Sequence, residues 1–247
     1  MKRYAHLLPF ILALSVLTGG FLYLSSCASN QQQQKSWETQ LGAVSGDGVT
    51  PVQMLHEVNL KQDFIPSGRY ARKIYRPMYP RYITIHATEN PTGDAYAHAR
   101  ALKAGALTAR KRPGGNRIGY LAWHFTVQGD TAIQHIPTRE QGEHADFDGM
   151  GNNYSIGIEM CEHHGNSIPQ TLERTAKLAA YLMKEYNIPL RNVVPHYYWP
   201  RVGTSPLHKP CPHYLMENGR PGRRWGWFLS RVNAQYKRLV DGECPRL

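Results

Sequence analysis

The chain has 247 residues, 41% hydrophobic and 19% charged, which excludes a largely disordered polymer and leaves room for one well-buried domain with terminal extensions. Its formal charge of +11, from 29 basic and 18 acidic residues, favours an acidic partner. Nucleic acid, a membrane surface and an anionic wall polymer all satisfy that charge, so charge alone does not choose among them.

Lys2 and Arg3 precede an apolar stretch from Leu7 to Leu24, and Ser25, Ser26 and Cys27 follow. A charged start, an apolar core and small residues before the cut form a secretory signal. The Leu24-Ser25-Ser26-Cys27 ending resembles a bacterial lipobox, which implies a lipidated Cys27 and a signal segment over 1–27. An uncleaved anchor helix is the competing reading, although Pro9, Gly19 and Gly20 make a poor membrane span. Either reading places the rest of the chain in the cell envelope, anchored to a membrane outside the cytoplasm. Residues 28–65, with the Gln31–Gln34 run and then Gly42, Gly46, Gly48 and Pro51, read as a polar tether.

Residues 66–247 read as one domain. Tyr82 to His86 alternates, with Ile83 and Ile85 on one face, and predicts a half-buried strand ending in a histidine. The Ala-rich run from Asp94 to Leu107 predicts a helix. Tyr120 to Val127 predicts a strand, Gln128-Gly129-Asp130 a turn, and Thr131 to Ile136 its hairpin partner. Tyr154 to Met160 is a further strand, with Ile156, Ile158 and Met160 on one face and Ser155, Gly157 and Glu159 on the other. The clearest helix runs from Gln170 to Asn187, with Leu172, Ala176, Ala179, Met183 and Tyr186 on one face and Glu173 and Lys177 paired on the other. Val193 and Val194 lead into Pro195-His196, and Trp225 to Leu239 closes the chain as a helix. The sum is an α/β fold: a mixed central sheet flanked by helices.

Most of the twelve histidines carry no presumption of function. His86 and His196, however, sit where strands end, and Cys211 lies in Lys209-Pro210-Cys211-Pro212-His213. Two imidazoles and one thiolate make a three-ligand zinc site with an open fourth position. Ligation by Cys211 also accounts for an odd number of cysteines beyond Cys27 in an oxidising compartment. Cys161 and Cys244 are then a disulfide or two free thiols. Lys209 and Cys211 both precede prolines, which favours an extended run that points the two side chains to one side. That arrangement sets a cation beside the metal, suited to an oxyanion.

Taken together, Ile83-Thr84-Ile85-His86, Trp123-His124-Phe125-Thr126-Val127, Gln134-His135-Ile136-Pro137, Glu143-His144-Ala145, Ser155-Ile156-Gly157-Ile158-Glu159, His196 and Lys209-Pro210-Cys211-Pro212 resemble the type-2 N-acetylmuramoyl-L-alanine amidases. That family includes the peptidoglycan recognition proteins, and its autolysin and phage-endolysin branch is the most similar. The resemblance spans residues 81–215. It implies a single zinc-amidase domain with His86, His196 and Cys211 as metal ligands and Glu159 and Lys209 as catalytic groups. It places His144 near the substrate cleft, with Trp123 beside it as a second substrate contact, and leaves His124 structural. Its expected partner is peptidoglycan or muropeptides, cut between muramic acid and L-alanine by a monomer. A non-catalytic peptidoglycan-binding module and a zinc peptidase acting on the stem peptide are the alternatives. A nucleic-acid partner is disfavoured by export and by the ordered site motifs.

Two departures stand out. His196 and Cys211 lie 15 positions apart, farther than is usual in the family, and the insertion from Tyr197 to His208 holds Trp199, Arg201 and His208. The insertion reads as a substrate-contacting loop, or else His208 or His213 competes as a ligand. Trp123 stands where some members carry a catalytic tyrosine, which leaves the proton chemistry to Glu159 and Lys209.

Overall fold

The structure, a computed structural model, describes residues 29, 31–109 and 118–242. The expected signal segment, the lipobox Cys27 and Cys244 lie outside those residues. No helix among the described residues is long and apolar enough to cross a membrane. The chain divides into two units, one ending at Gly42 and the other beginning at Ala43.

In the first unit residues 31–41, within the stretch read as a polar tether, are helical (α1). Glutamine is a good helix former. Side-chain bonds one turn apart support the helix, from Gln34 to Glu38 at 2.9 Å and from Gln40 to Ser36 at 3.2 Å.

The second unit enters its fold well before residue 66, a correction to the expected domain boundary. Thr50 and Gln53 form a capping box that starts helix α2 (Pro51–Val58), and Asn59 ends it in the left-handed region. The next residues form β1 (Leu60–Gln62), which pairs in parallel with β4 (Ala132–Gln134). Met54 and Val58 are fully buried, so this stretch belongs to the core.

The sheet runs β1-β4-β3-β5-β2-β6, with β2 Tyr82–Ala87, β3 Phe125–Val127, β5 Ser155–Met160 and β6 Val193–Pro195. Only β3 and β4 pair antiparallel; the hairpin is the expected one, and the whole is a mixed sheet. β2 is buried along nearly its whole length rather than half-buried, because protein covers both faces of this central parallel strand. Its Thr84 hydroxyl is accommodated by Ser155 and by the Trp199 indole N–H. The expected strand from Tyr120 is shorter. Ala122 instead exchanges backbone bonds with Glu143 at 3.2 and 2.7 Å, which draws the Glu143-His144 loop toward the sheet.

Helix α3 (Ala95–Lys103) is capped by the Asp94 carboxylate and stops before Gly105, whose φ is +66°. Helix α4 (Met150–Tyr154) is a short turn leading into β5. Helices α5 (Ile168–Tyr186) and α6 (Arg223–Asp241) pack on each other, and α5 also contacts β2, β3 and β5. Glu173 and Lys177 do not pair with each other. Glu173 binds Arg231 at 2.6 Å and Gln235 on α6, whereas Lys177 binds Glu57 of α2 at 2.8 Å. Charges that sequence spacing places together are thus spent on joining helices.

Candidate metal centre and cleft

In the β2–β5 register His86 stands opposite Glu159, and Thr84 stands opposite Gly157. These four residues share one face, while Ile83, Ile85, Ile156 and Ile158 occupy the other. His196 follows the end of β6 directly. The chemistry therefore gathers at the carboxyl ends of neighbouring parallel strands, the usual place for a site in such a sheet. Cys211 joins from the far side of the insertion; its sulfur lies 3.4 Å from the Ala87 amide nitrogen at the end of β2.

The donor atoms of His86, His196 and Cys211 lie within 4.8 Å of one another, and all three residues are buried. One small cation with donor bonds of about 2.0–2.3 Å can reach all three. The proton positions support this. A carbonyl can only accept, so His144 Nε2–H donates to Ser155 O at 3.3 Å and leaves its Nδ1 an acceptor. His86 Nε2–H then donates to that Nδ1 at 3.0 Å, and His86 Nδ1 is left with a lone pair. By the same reasoning His196 Nε2–H donates to Ala145 O at 3.1 Å, leaving its Nδ1 bare. The two Nδ1 atoms face each other at 3.0 Å. Two lone pairs at that distance repel unless a cation lies between them.

Electrostatics agree. Burial, then the neighbouring imidazoles and Lys209, holds His86 well below the ordinary histidine range. Burial holds His144 at about 4 against its bond to the Ser155 carbonyl, and burial with Lys209 holds His196 at about 3. All three are neutral near pH 7, as metal ligation and its supporting hydrogen bonds require. Burial, followed by the Glu159 carboxylate, pushes the Cys211 thiol up to about 12. A thiolate there needs a cation, and a bound metal supplies it.

Glu159 lies 3.8 Å from His86 Nδ1 through Oε1, and its Oε2 is buried without a hydrogen-bond partner. Burial raises its pKa to about 8; Lys209 opposes the shift, and Glu89 and Glu162 add to it. Lys209 pairs with Glu89 at 3.0 Å. Burial disfavours its charge, but Cys211, Glu89 and Glu159 outweigh burial and raise its pKa. The Lys209-Pro210-Cys211 run is not simply extended. The Cys211 amide donates back to the Lys209 carbonyl at 2.8 Å, a tight turn centred on Pro210.

His86, His196, Glu159 and Lys209 line a cleft of about 840 Å³ together with His98, Trp123, Phe147 and Arg201. Trp123 is nearly buried, with its indole N–H on Thr126 at 2.7 Å, and presents ring rather than polar atom to the cleft. His144 also borders the cleft, but both its nitrogens are engaged within the protein, so it orients His86 instead of offering substrate a polar contact. His124 is structural, as expected: its Nδ1 accepts from Gly157 N–H at 3.0 Å and its Nε2 donates to Glu140 O at 2.9 Å. Neither rival ligand joins the cluster. His208 bonds to the Tyr197 carbonyl at 2.7 Å, and His213 lies 3.5 Å from Glu162. Cys161 is a free, buried thiol.

Sequence reasoning missed the clamp behind His144. Asn152 Oδ1 accepts from the amides of His144 and Ala145, both at 2.8 Å, and Asp146 accepts from Gly151 and Asn152 at 2.8 and 2.9 Å. The Asp- and Asn-rich stretch from Asp146 to Asn153 carried that signal, since such side chains cap turns.

The family described as N-acetylmuramoyl-L-alanine amidase matches residues 76–214. The chain is 42% identical over 180 residues to N-acetylmuramoyl-L-alanine amidase XlyA of Bacillus subtilis (strain 168), covering 72% of this chain and 52% of that protein. It is 36% identical over 181 residues to N-acetylmuramoyl-L-alanine amidase CwlH of the same strain, covering 72% and 62%. It thus spans between about half and three fifths of the length of these relatives. Among solved structures, the catalytic domain of XlyA superposes with a TM-score of 0.57 at 38% identity, covering 70% of this chain and 99% of that one. A mutant endolysin from Bacillus subtilis gives 0.58 at 38% identity, covering 70% and 98%. With the expected mixed sheet, the strand-end site and a match over more than half its length, the chain belongs to the N-acetylmuramoyl-L-alanine amidase family.

Proposed function

We propose that the chain is a zinc-dependent N-acetylmuramoyl-L-alanine amidase of the cell envelope, hydrolysing the amide between muramic acid and L-alanine in peptidoglycan. The observation that carries the reading is the pair of bare Nδ1 atoms on His86 and His196, 3.0 Å apart and converging with Cys211. This neutral-imidazole and thiolate donor set fits zinc. Zinc bound there supplies Lewis acidity, lowering the pKa of a water and polarising a carbonyl.

The rest of the chemistry belongs to the chain. Glu159 lines the cleft with its buried Oε2 unpartnered, and its pKa, raised by burial to about 8, suits a group that holds and releases a proton near neutral pH. It takes one from the attacking water and returns it to the leaving amine. The Lys209 ammonium, held by Glu89, stabilises negative charge developing on the carbonyl oxygen. Trp123 and Phe147 give the cleft apolar walls that exclude water from the reacting amide.

The basic start, the apolar stretch and the Leu24-Ser25-Ser26-Cys27 ending support a lipid anchor at Cys27 that holds the enzyme beside its substrate. A Cys27→Ala chain should leave the membrane fraction and lack the acyl mass. Retention in the membrane would favour an uncleaved anchor.

The deciding experiment is digestion of purified peptidoglycan by the full chain, with zinc and after chelation, with products read by mass. Stem peptides beginning at L-alanine, released only with zinc, are the expected result. Cleavage inside the stem peptide, or no cleavage by folded, zinc-loaded protein, overturns the reading.

A further inference from the structure

Among the described residues, two cations line the cleft, Lys209 and Arg201, and they differ in one respect. Lys209 is committed to Glu89 at 3.0 Å. Arg201 has no carboxylate partner among the described residues: its Nε is buried without an acceptor, and its one side-chain bond is a long 3.3 Å contact to the Pro206 carbonyl. The acidic groups on the cleft wall leave it unbalanced. Glu143 is held by Arg76, and Glu159 lies beside His86, 3.8 Å from its Nδ1. A buried guanidinium donor without an acceptor is costly to keep.

The segment around Arg201 is built to present it. The insertion is fixed at its base, where the Tyr197 amide donates to Cys211 O at 3.1 Å and Trp199 is buried with its indole N–H on Thr84 at 2.9 Å. Two residues later the Arg201 amide donates to Leu207 O at 2.8 Å. The Thr204 amide donates to Arg201 O at 3.0 Å, and the Thr204 hydroxyl lies 2.8 Å from the same carbonyl, closing the turn. Arg201 and Thr204 both face the cleft. Arg201 lines the same cleft as His196, Glu159 and Lys209, which sets its charge on the wall that holds the metal centre.

We propose that Arg201 is a specificity residue that receives a free carboxylate on the peptide portion of the substrate, close to the scissile amide. The inference rests on the amidase reading. Guanidinium pairs with carboxylate through parallel, charge-assisted bonds and gains much less from a neutral carboxamide. The enzyme therefore selects stem peptides whose second residue keeps its carboxylate over those in which it is amidated.

The test uses the zinc-loaded full chain and two muramyl tripeptides with amidated C-termini. They differ only in a carboxylate or a carboxamide on the second residue. The wild type should prefer the carboxylate form by roughly tenfold or more in kcat/KM, expressed mainly in KM. Arg201→Gln should bring that ratio to about one by raising KM for the carboxylate form alone, and Arg201→Lys should restore part of it. Calorimetric binding of both peptides to the wild type and to Arg201→Gln gives a readout independent of turnover. Arg201-dependent binding of the carboxylate form without cleavage of either peptide would sink the amidase reading and keep the carboxylate site. Cleavage of both peptides with equal efficiency, or an equal loss on both in Arg201→Gln, would overturn the carboxylate site and leave the amidase reading standing.

Discussion

His144 accepts from His86 through one nitrogen and donates to a main-chain carbonyl through the other, so replacing it frees the His86 ring. His144→Ala should weaken zinc binding by about 10- to 100-fold in competition with a chromophoric chelator, and His144→Gln should recover part of that loss. Unchanged zinc affinity would show that His86 needs no such support. Glu159→Gln makes the opposite pattern: zinc content should stay at the wild-type level while kcat falls by about 10²- to 10⁴-fold. A Glu159→Gln enzyme of near wild-type kcat would remove this residue from the proton chemistry. His86, His196, Cys211 and Lys209 are picked out in the sequence by strand ends and prolines, Glu159 by the family resemblance, and the structure gathers the donor atoms of the first three. The proton relay behind the histidines is not, because its last acceptors are the carbonyls of Ser155 and Ala145, and only sheet register and loop path bring those into place. Trp123 and His144 illustrate the same limit. The family resemblance brings them to the cleft, but only their hydrogen bonds show that one gives a ring face and the other holds the His86 ring.

The strand β5 shows how an element shapes the site. Gly157 lies on the same face as Glu159, and a Cβ there would stand 2.8 Å from two carbons of the His144 ring. The glycine is required by this close approach rather than by its backbone angles. Gly157→Ala should displace the ring, destabilise the fold by about 1–3 kcal/mol and weaken zinc binding in the same direction as His144→Ala. Gly226→Ala in α6, where a Cβ meets open space, should instead stabilise by about 0.5–1 kcal/mol. Denaturant unfolding with chelator competition measures both. A Gly157→Ala protein with full zinc affinity would show that the ring has room to give. Apolar periodicity makes β2, β5 and α5 legible, since their buried faces are long and regular. It does not find α2 and β1, because an eight-residue helix and a three-residue strand are too short to display a sustained apolar period. Glu173 and Lys177 mislead for a related reason. Local spacing pairs them, but partners on α6 and α2 are available in seams partly shielded from water.

Across the whole molecule, the stretch read as tether supplies a junction between three helices. Glu57 of α2 receives Arg238 of α6 through two bonds, at 3.1 and 2.8 Å, and Lys177 of α5 at 2.8 Å. A chain begun at Pro66 would lose α2 and β1, bare the edge of β4 and leave both cations unpaired. It should melt well below a chain begun at Ala43, and equal melting temperatures would return residues 43–65 to the role of a spacer. The same junction sets part of the acid response. The Arg238 bonds, and then Lys177, hold the Glu57 pKa at about 2, below its ordinary value of 4.5. A depressed carboxylate contributes stability that is fully present above 4.5 and is lost as pH falls toward 2. His124 and His135 act earlier on the way down. Burial holds each at about 3 against an ordinary 6.5, so protonation favours the unfolded chain as pH drops below 6.5. Melting temperature should therefore decline in two stages, first from the histidines and then with Glu57 added below pH 4.5. Glu57→Gln should be less stable than wild type at pH 7 and should flatten only the second stage, since it leaves both histidines in place. A variant whose acid profile runs parallel to wild type from pH 7 down to pH 3 would show that the three-helix junction contributes nothing to acid sensitivity.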